Sequence, residues 1–412
     1  MEGELGVAES AFPAGEQALK ELTRLVIVSH VVIFRHEGHL YAYGPYAREL
    51  NIWADLVREL IIASPYREGP PLPDTEMLAR DNITVIPQRE TGGDRLSEKI
   101  KQVISLPLLI WDLVRAVRSG DAVHVRCPGN LGLLGVIVAP MFRRYVVAKY
   151  AGQWAGYEDE SLAVRLQKAI LRSSWWEGPV TVYGEWPDQP PHVVPFFTSV
   201  LTASDIAQAR RAADRRKRNN PIRILFVGRL SSSKNVDVLL SAVARLPGVP
   251  CTIVGSGEEE AALLRQAEVL GITDRVKFTG WVSFNEVLDF YENSDVLVLA
   301  SDTEGWPKVI AEGMAFGLVC IGSDRGLVPR MLGEGRGIIV PPKNVEALVE
   351  ALSKVTQDQE ETLAMARRSA EWAQKFSLED LREALRKLLT KTWGVELVPS
   401  MREPAQAEET AA

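Results

Sequence analysis

The sequence predicts an α/β fold made of two Rossmann-like domains, and three observations support it. At 412 residues the chain is too long for one ordinary core and suits two domains of about 150–200 residues each. Its composition, 46% hydrophobic and 25% charged, is that of a globular protein. In the second half, short apolar runs alternate with helical patterns, which implies a parallel sheet covered on both faces. The expected division is a flexible leader at 1–20, a first Rossmann-like domain at 21–203, a second at 204–375, a terminal helix at 376–395 and a disordered tail at 396–412.

Bulk properties narrow the function. A formal net charge of -7 has the wrong sign for a general nucleic-acid binder. Cys127, Cys251 and Cys320 stand far apart without metal-ligand spacing, and read as buried thiols in a reducing compartment. The amino terminus begins acidic and shows no apolar signal segment. Leu131–Phe142 is the longest apolar patch, contains glycine and proline, and is too short to span a bilayer. The expected location is cytoplasmic.

In order along the chain, Arg24–Val31 reads as a first buried strand. Phe34–Tyr46 is polar, aromatic and glycine-containing, and is expected as a loop. Tyr46–Leu56 has helical spacing and Glu59–Pro65 reads as a strand. Glu68–Gly93 is rich in Pro and Gly, hence loop with a short strand at Ile83–Ile86. Asp94 is placed to cap a long helix toward Ser119, kinked at Pro107. Its basic residues, with Arg126, Arg143, Arg144 and Lys149, form either a solvated face or a surface for anionic partners. Asp121–Pro128 is strand then loop, which puts His124 and Arg126 near a carboxyl end, where α/β sheets bind ligands. A core role for His124 is equally compatible with that pattern.

Tyr145–Tyr150 and Val180–Tyr183 are further strands around a helix at Ser161–Ser173. Trp154 and the pair Trp175–Trp176 are either sugar-stacking rings or ordinary rim packing. Pro187–Pro195 leads to the domain boundary, and a helix at Ser204–Lys217 ends in the charge run Arg215–Arg218, a solvated linker. Strands are expected at 222–227, 251–254, 276–278, 295–299, 319–321 and 337–340, and terminal helices at 360–375 and 378–393.

The chemistry concentrates in Asp302-Thr-Glu-Gly-Trp-Pro-Lys-Val-Ile-Ala-Glu-Gly-Met-Ala-Phe-Gly317, directly after the strand at 295–299. Gly305 lets the backbone turn and Pro307 stands where a first helical residue needs no N–H. Such a strand–loop–helix unit aims free N–H groups and a positive dipole end above the strand. Glu304 and Glu312, spaced E-x7-E, would stand at the mouth and along the wall of the site.

These residues resemble the retaining family-4 glycosyltransferases of the GT-B fold (glycosyl transferases group 1). That resemblance implies two Rossmann-like domains whose parallel sheets face across a cleft, the first meeting the acceptor and the second the nucleotide-sugar donor. It implies that Glu304 approaches the transferred sugar and Glu312 the nucleotide ribose. Phe226-Val-Gly-Arg-Leu-Ser-Ser-Ser-Lys-Asn235 resembles the family's donor-phosphate motif, with Arg229 and Lys234 on the diphosphate. Each such charge contact at ~4 Å and an effective dielectric of ~20 is worth about 4 kcal/mol before desolvation. Two fixed cations thereby serve in place of a metal, and no cofactor is expected. Val254-Gly-Ser-Gly-Glu258, with Gly255 and Gly257, and the run ending at Val282 lie where relatives read the nucleotide.

By the same likeness, the N–H groups of Lys308 and Val309 approach the phosphates. Gly38 or Gly44 would stand for the family's phosphate-facing glycine, although the usual adjacent pair is missing. Relatives often place a second His where this chain has Arg126, and Gly305-Trp306-Pro307 departs from the usual Gly-Phe-Gly. The implied activity is transfer of a sugar from a nucleotide-diphosphate donor to an acceptor hydroxyl on a glycan, glycolipid or small molecule, with retention and without metal. Peripheral contact with the inner membrane face fits many relatives. Alternatives are a catalytically silent nucleotide-binding subunit and a sugar-nucleotide epimerase. A nicotinamide dehydrogenase is disfavoured because Glu258–Glu260 crowd the place of a pyrophosphate.

Overall fold

The computed structural model describes residues 20–90, 96–157, 160–217, 219 and 221–399. The leader before Lys20, the helix cap at Asp94, the end of the charge run at Arg218 and the tail from Ser400 lie outside the described residues.

The first half begins with β1 (Lys20–Leu22), β2 (Arg24–Val28), β3 (Ile33–His36), β4 (His39–Tyr43) and helix α1 (Gly44–Asp55). Then come β5 (Glu59–Glu68), β6 (Thr75–Met77), β7 (Ile83–Gln88), α2 (Leu96–Val117), β8 (Ala122–Cys127), α3 (Asn130–Phe142) and β9 (Tyr145–Tyr150). It closes with α4 (Leu162–Arg172), β10 (Val180–Tyr183) and β11 (Val193–Phe196). The second half runs α5 (Ala203–Arg215), β12 (Ile224–Val227), α6 (Val236–Ala244), β13 (Cys251–Val254), α7 (Glu260–Val269), β14 (Val276–Gly280) and α8 (Phe284–Glu292). It continues through β15 (Val296–Leu299), α9 (Lys308–Ala315), β16 (Val319–Ser323), α10 (Val328–Leu332), β17 (Gly337–Val340) and α11 (Val345–Gln357). Helices α12 (Gln359–Ala373) and α13 (Leu378–Trp393) and strand β18 (Val395–Leu397) end the chain.

The second sheet has six strands in the order β14-β13-β12-β15-β16-β17, every pairing parallel. Strands β12 and β15 are buried throughout, as a central strand covered on both faces must be. The order reverses between them, and a crevice opens above their carboxyl ends at such a reversal. The first sheet has ten strands, with β2 between β5 and β8. Its reversal falls between β2 and β8, so Arg126, near the end of β8, stands at the first half's own crevice.

Three features differ from expectation. Phe34–Tyr46 is not a loop: β3 and β4 pair antiparallel, and Glu37 and Gly38, both at positive φ (49° and 85°), make the turn. An exposed hairpin hides from pattern reading because packing does not impose a strict apolar alternation on it. Strand β5 is ten residues long because it serves three neighbours, β2 along Glu59–Ala63, β7 along Leu60–Pro65 and, beyond them, β3 along Tyr66–Glu68. The ordered chain also exceeds its expected limits, since β1 pairs parallel with β18 and Val398 N donates to Leu22 O at 3.1 Å.

Helix α13 explains that closure. Ser377 caps it, with Asp380 completing a capping box, an arrangement that satisfies two orphan N–H groups. Leu378, Leu381, Leu385 and Leu389 then repeat at helical spacing and bury in one core with Leu50, Trp53, Ala54 and Leu56 of the first half. Arg382 adds an ion pair to Asp55 at 3.4 Å. Replacement of Leu385, 4% exposed, by Ala is expected to cost about 2–5 kcal/mol and to lower the melting temperature in a thermal scan.

Candidate active site

Two loops of the second half meet above the β12–β15 boundary. After β12, Arg229 is held by a backbone interlock: Gly228 N donates to Val254 O and Leu230 N to Ser256 O, each at 3.0 Å. The closeness requires Gly255 and Gly257. A Cβ at Gly255 would stand 2.0 Å from Gly228 O, and one at Gly257 2.3 Å from Leu230 O. These glycines therefore hold the loop that carries Arg229, a role the motif alone did not reveal. Arg229 is exposed and pairs with Glu258 at 3.2 Å.

Lys234 lies deeper and its Nζ is 2.6 Å from Glu304 Oε1. Beside it Asn235 adopts the left-handed conformation, φ 51°, and its Nδ2 donates to Ala300 O and Asp302 Oδ1, both at 2.8 Å. Asp302 N donates to Ser233 O at 2.8 Å, and Lys343 Nζ is 2.8 Å from Asp302 Oδ2. The loop after β15 is thus lashed to the loop after β12. Asn235, Asp302 and Lys343 were not singled out from sequence; an asparagine directly after a motif lysine was the available signal, because Asn tolerates positive φ.

Pro307 is the N-cap of α9, one place before the first helical residue expected for it. The N–H groups of Lys308 and Val309 have no hydrogen-bond partner among the described residues, which leaves them free for an anion. Glu312 is buried, its Oε2 accepting from Tyr291 Oη at 2.7 Å. Burial pushes its carboxyl up, against the Tyr291 hydrogen bond and the nearby Lys308 charge. Val282 packs partly buried at the end of the loop after β14, where Gly255 and Gly280 also meet.

The first half supplies a charged wall. Glu49, on α1, lies 2.8 Å from Lys149 Nζ and 3.8 Å from an Arg126 nitrogen. Burial would raise its carboxyl, but Lys149 and Arg126 overcome this and hold it at about 2. Arg126 also lies over the Tyr46 ring, 4.4 Å from its centroid. Lys308 reaches toward the same group; burial lowers its amine to about 8, with Glu49 opposing and Lys149 and Arg126 adding to the fall. The expected basic surface is therefore not one face: Arg126 and Lys149 turn inward, while Arg143 donates to the Val117 and Arg118 carbonyls at the end of α2.

Several candidates fall elsewhere. His124 is fully buried and stacks on Trp53, ring centroids 4.5 Å apart; burial drops its imidazole to about 3. That is the core placement. Gly38 is a hairpin turn facing open space, and Gly44 begins α1 beside Glu76; neither forms a glycine-rich phosphate loop. Trp306 packs among Tyr183, Trp372 and Phe376, so its ring serves the hinge between the halves and not an open subsite. Gly305 lies against Gly152, whose Cα would be 3.3 Å from an added Cβ. Trp154 and Trp176 are buried in the first core, while exposed Trp175 donates to Val136 O at 3.1 Å. Tyr43, at the end of the hairpin, is the residue that pattern reading missed. It is about half exposed, and its phenol is pushed up by partial burial and by Asp74 and Glu312 and drawn down by Arg126 and Arg229, charges that come from both halves.

Comparison with known proteins agrees with this architecture. Residues 208–372 match the family described as glycosyl transferases group 1. An uncharacterized glycosyltransferase of Haemophilus influenzae is 34% identical over 172 residues, covering 40% of this chain and 48% of that protein. D-inositol 3-phosphate glycosyltransferase of Mycolicibacterium smegmatis is 34% identical over 160 residues, 37% of this chain and 36% of the relative. The lipopolysaccharide core biosynthesis glycosyltransferase LpsE of Rhizobium meliloti is 32% identical over 184 residues, 43% and 53% respectively. The matches span about half or less of these relatives' length.

Among solved structures, Anabaena HepE in complex with UDP and glucose superposes with a TM-score of 0.64 at 16% identity, over 90% of this chain and 99% of that one. WaaG, a glycosyltransferase involved in lipopolysaccharide biosynthesis, gives 0.62 at 15% identity, over 89% and 99%. The fold is GT-B, and the match to the glycosyl transferases group 1 model lies within its second half.

Glu49 makes the charged wall pH-sensitive. Its folded carboxyl titrates near 2 against an ordinary 4.5, so its stabilisation is present above about pH 4.5 and is lost as pH falls through about 2. Lys149→Met strands a buried carboxylate and is expected to cost about 3–5 kcal/mol. Thermal melting between pH 7 and pH 2 should show a smaller acid-side loss in that variant, and partial recovery of stability in E49Q/K149M.

Proposed function

We propose that this protein transfers a sugar from a nucleoside-diphosphate donor to an acceptor hydroxyl with retention of anomeric configuration. The observation that carries the reading is the placement of Arg229, Lys234 and the unbonded N–H groups of Lys308 and Val309 around Glu304 at the β12–β15 boundary. The two cations rest on Glu258 and Glu304. A diphosphate brings its own negative charge, so it can replace these carboxylates as the partner of both cations. Charge grows on the leaving phosphate as the glycosidic bond breaks, and fixed cations and amide hydrogens stabilise it where it develops.

Glu304, released from Lys234, is placed to accept from a sugar hydroxyl. Glu312 is set deeper, to accept from the ribose hydroxyls. The acceptor oxygen forms the new bond on the face the diphosphate leaves, and its proton passes to the departing phosphate oxygen. No protein nucleophile and no metal enters this scheme. That UDP and glucose occupy a HepE structure of the same fold supports the donor class. Retention and the donor's nature rest on the family resemblance.

The acceptor side favours a membrane-linked substrate. No described helix is long and apolar enough to cross a membrane. Helices α2, α3 and α4 nevertheless adjoin one another and expose Leu108, Trp111, Met141, Leu162 and Leu166, Trp111 by 70%. Arg115 on α2 and Arg165 on α4, with Arg118 just past the end of α2 and Arg144 between α3 and β9, are exposed beside them. Apolar groups flanked by arginines suit an anionic lipid surface.

A thermal-shift panel of UDP, GDP, ADP and their sugars tests the donor, since a ligand of the folded state raises the melting temperature. Arg229→Ala and Lys234→Ala should each abolish most turnover with melting temperature retained, and full activity in both would refute the phosphate role. Glu312→Ala should weaken nucleotide binding by roughly 1.5–3 kcal/mol, read by calorimetry. Sedimentation with phosphatidylglycerol vesicles should capture the protein, and W111S/M141S should release it; equal recovery with and without vesicles removes the lipid contact.

A further inference from the structure

The charged wall of the first half holds more positive charge than the reading above uses. Arg126 is largely buried, and its guanidinium has five N–H donors. Among the described residues it makes no hydrogen bond within normal distance: its nearest acid is Glu49 at 3.8 Å, and its buried Nε has no partner. Glu49 is already committed to Lys149 at 2.8 Å. Lys308 likewise shows no hydrogen bond or ion pair among the described residues, although its amine is within electrostatic reach of Arg126, Lys149 and Glu49. Its other acidic neighbour, Glu312, is occupied by Tyr291.

Three cations thus share the neighbourhood of one carboxylate: Lys149 pairs with it at 2.8 Å, Arg126 only at 3.8 Å, and Lys308 has no ion pair among the described residues. Burying more positive than negative charge is costly, so a site that keeps this excess is shaped for an anion brought by a ligand. The diphosphate does not fill this need. Arg229 and Lys234, from the facing half, stand on the β12 loop with their own acids to exchange. Arg126, by contrast, rises from β8 and is steadied by α1 and β9. Lys308 lies between Glu304 and Glu312 in sequence, as the first residue of α9, and with Thr198, Ser199, Trp306 and Glu312 it borders a water-sized cavity at the domain junction.

We propose that Arg126 and Lys308 recognise an anionic group, a carboxylate or phosphate, on a sugar at the reacting centre, and thereby select a charged sugar over a neutral one. This rests on the nucleotide-sugar reading of the site. The anion can belong to the donor's transferred sugar, as in a uronic acid, or to the acceptor sugar. The residue types differ from what a neutral hexose requires, for which one hydrogen-bonding side chain beside the sugar hydroxyls would serve.

Calorimetry on the full chain separates the cases. The nucleoside diphosphate that binds is first identified from UDP, GDP and ADP. Its hexose and hexuronate are then compared: UDP-glucose with UDP-glucuronate, or GDP-mannose with GDP-mannuronate. The wild type should bind the uronate at least tenfold more tightly. Alternatively, with the neutral donor present, it should bind glucuronate or glucose 6-phosphate at least tenfold more tightly than glucose. The first result assigns the anion to the donor and the second to the acceptor.

In R126M that preference should vanish while the affinity for the bare nucleoside diphosphate is kept, K308M should lose the preference as well, and R126K should restore part of it. Melting temperatures of the variants show that the fold survives. Equal affinity for charged and neutral sugars in the wild type overturns the proposal, as does a loss of bare nucleotide binding in R126M that matches its loss of uronate binding, which would assign this cation to the diphosphate. If no nucleoside diphosphate binds at all, the donor reading fails, and this proposal fails with it.

Discussion

The structure depends on the tie between the loops after β12 and β15. These strands are neighbours in the sheet while their loops are some seventy residues apart in sequence, as the Lys234–Glu304 pair shows. Left-handed Asn235 joins both loops through Ala300 O and Asp302. A cation and a carboxylate that would be solvated separately are held 2.6 Å apart, at the place where α9 begins with unpaired N–H groups. In the proposed reaction, phosphate capture and the release of Glu304 both follow from that juxtaposition. It also explains the glycines at 255 and 257, whose missing side chains let the neighbouring loop support Arg229 from below.

The facing wall is organised differently. There a buried carboxylate, Glu49, gathers Lys149 and Arg126 from two adjacent strands. Lys308 approaches from the other half, so its charge state is set by groups of both domains. Contacts at the hinge keep the walls in register. Trp306 packs on Tyr183, Trp372 and Phe376, and Arg48 lies over the Phe284 ring while donating to Val200 O at 3.0 Å. Helix α13 buries four leucines against the first half. Apolar hinge packing around a charged cleft separates the two tasks: burial fixes domain placement, and the cleft's charges are left to meet a ligand.

Much of this was legible locally. Strands Cys251–Val254 and Gly337–Val340 and helix Leu378–Trp393 stand where the pattern puts them, because apolar runs and helical periodicity are properties of a few consecutive residues. The E-x7-E spacing and the Arg229–Lys234 spacing were legible for the same reason. The β3–β4 hairpin was not, since its exposed positions carry aromatic and polar residues that a loop would also accept. Nor was Trp306: an aromatic next to a motif glutamate reads equally as a ligand platform or a hinge contact, and only its neighbours Trp372 and Phe376 decide.

By itself the sequence determined the α/β class and the alternating second half, because each is encoded in short-range order, and it offered by resemblance the residues proposed to hold a diphosphate. Tertiary structure alone decided that His124 is core, that Arg126 and Lys149 share one buried glutamate, and that Lys308 joins them across the domain junction. Those outcomes turn on which side chains the two sheets bring within a few ångströms and how much water remains between them. Burial and charge pairing are properties of the assembled cleft, and no single segment carries them.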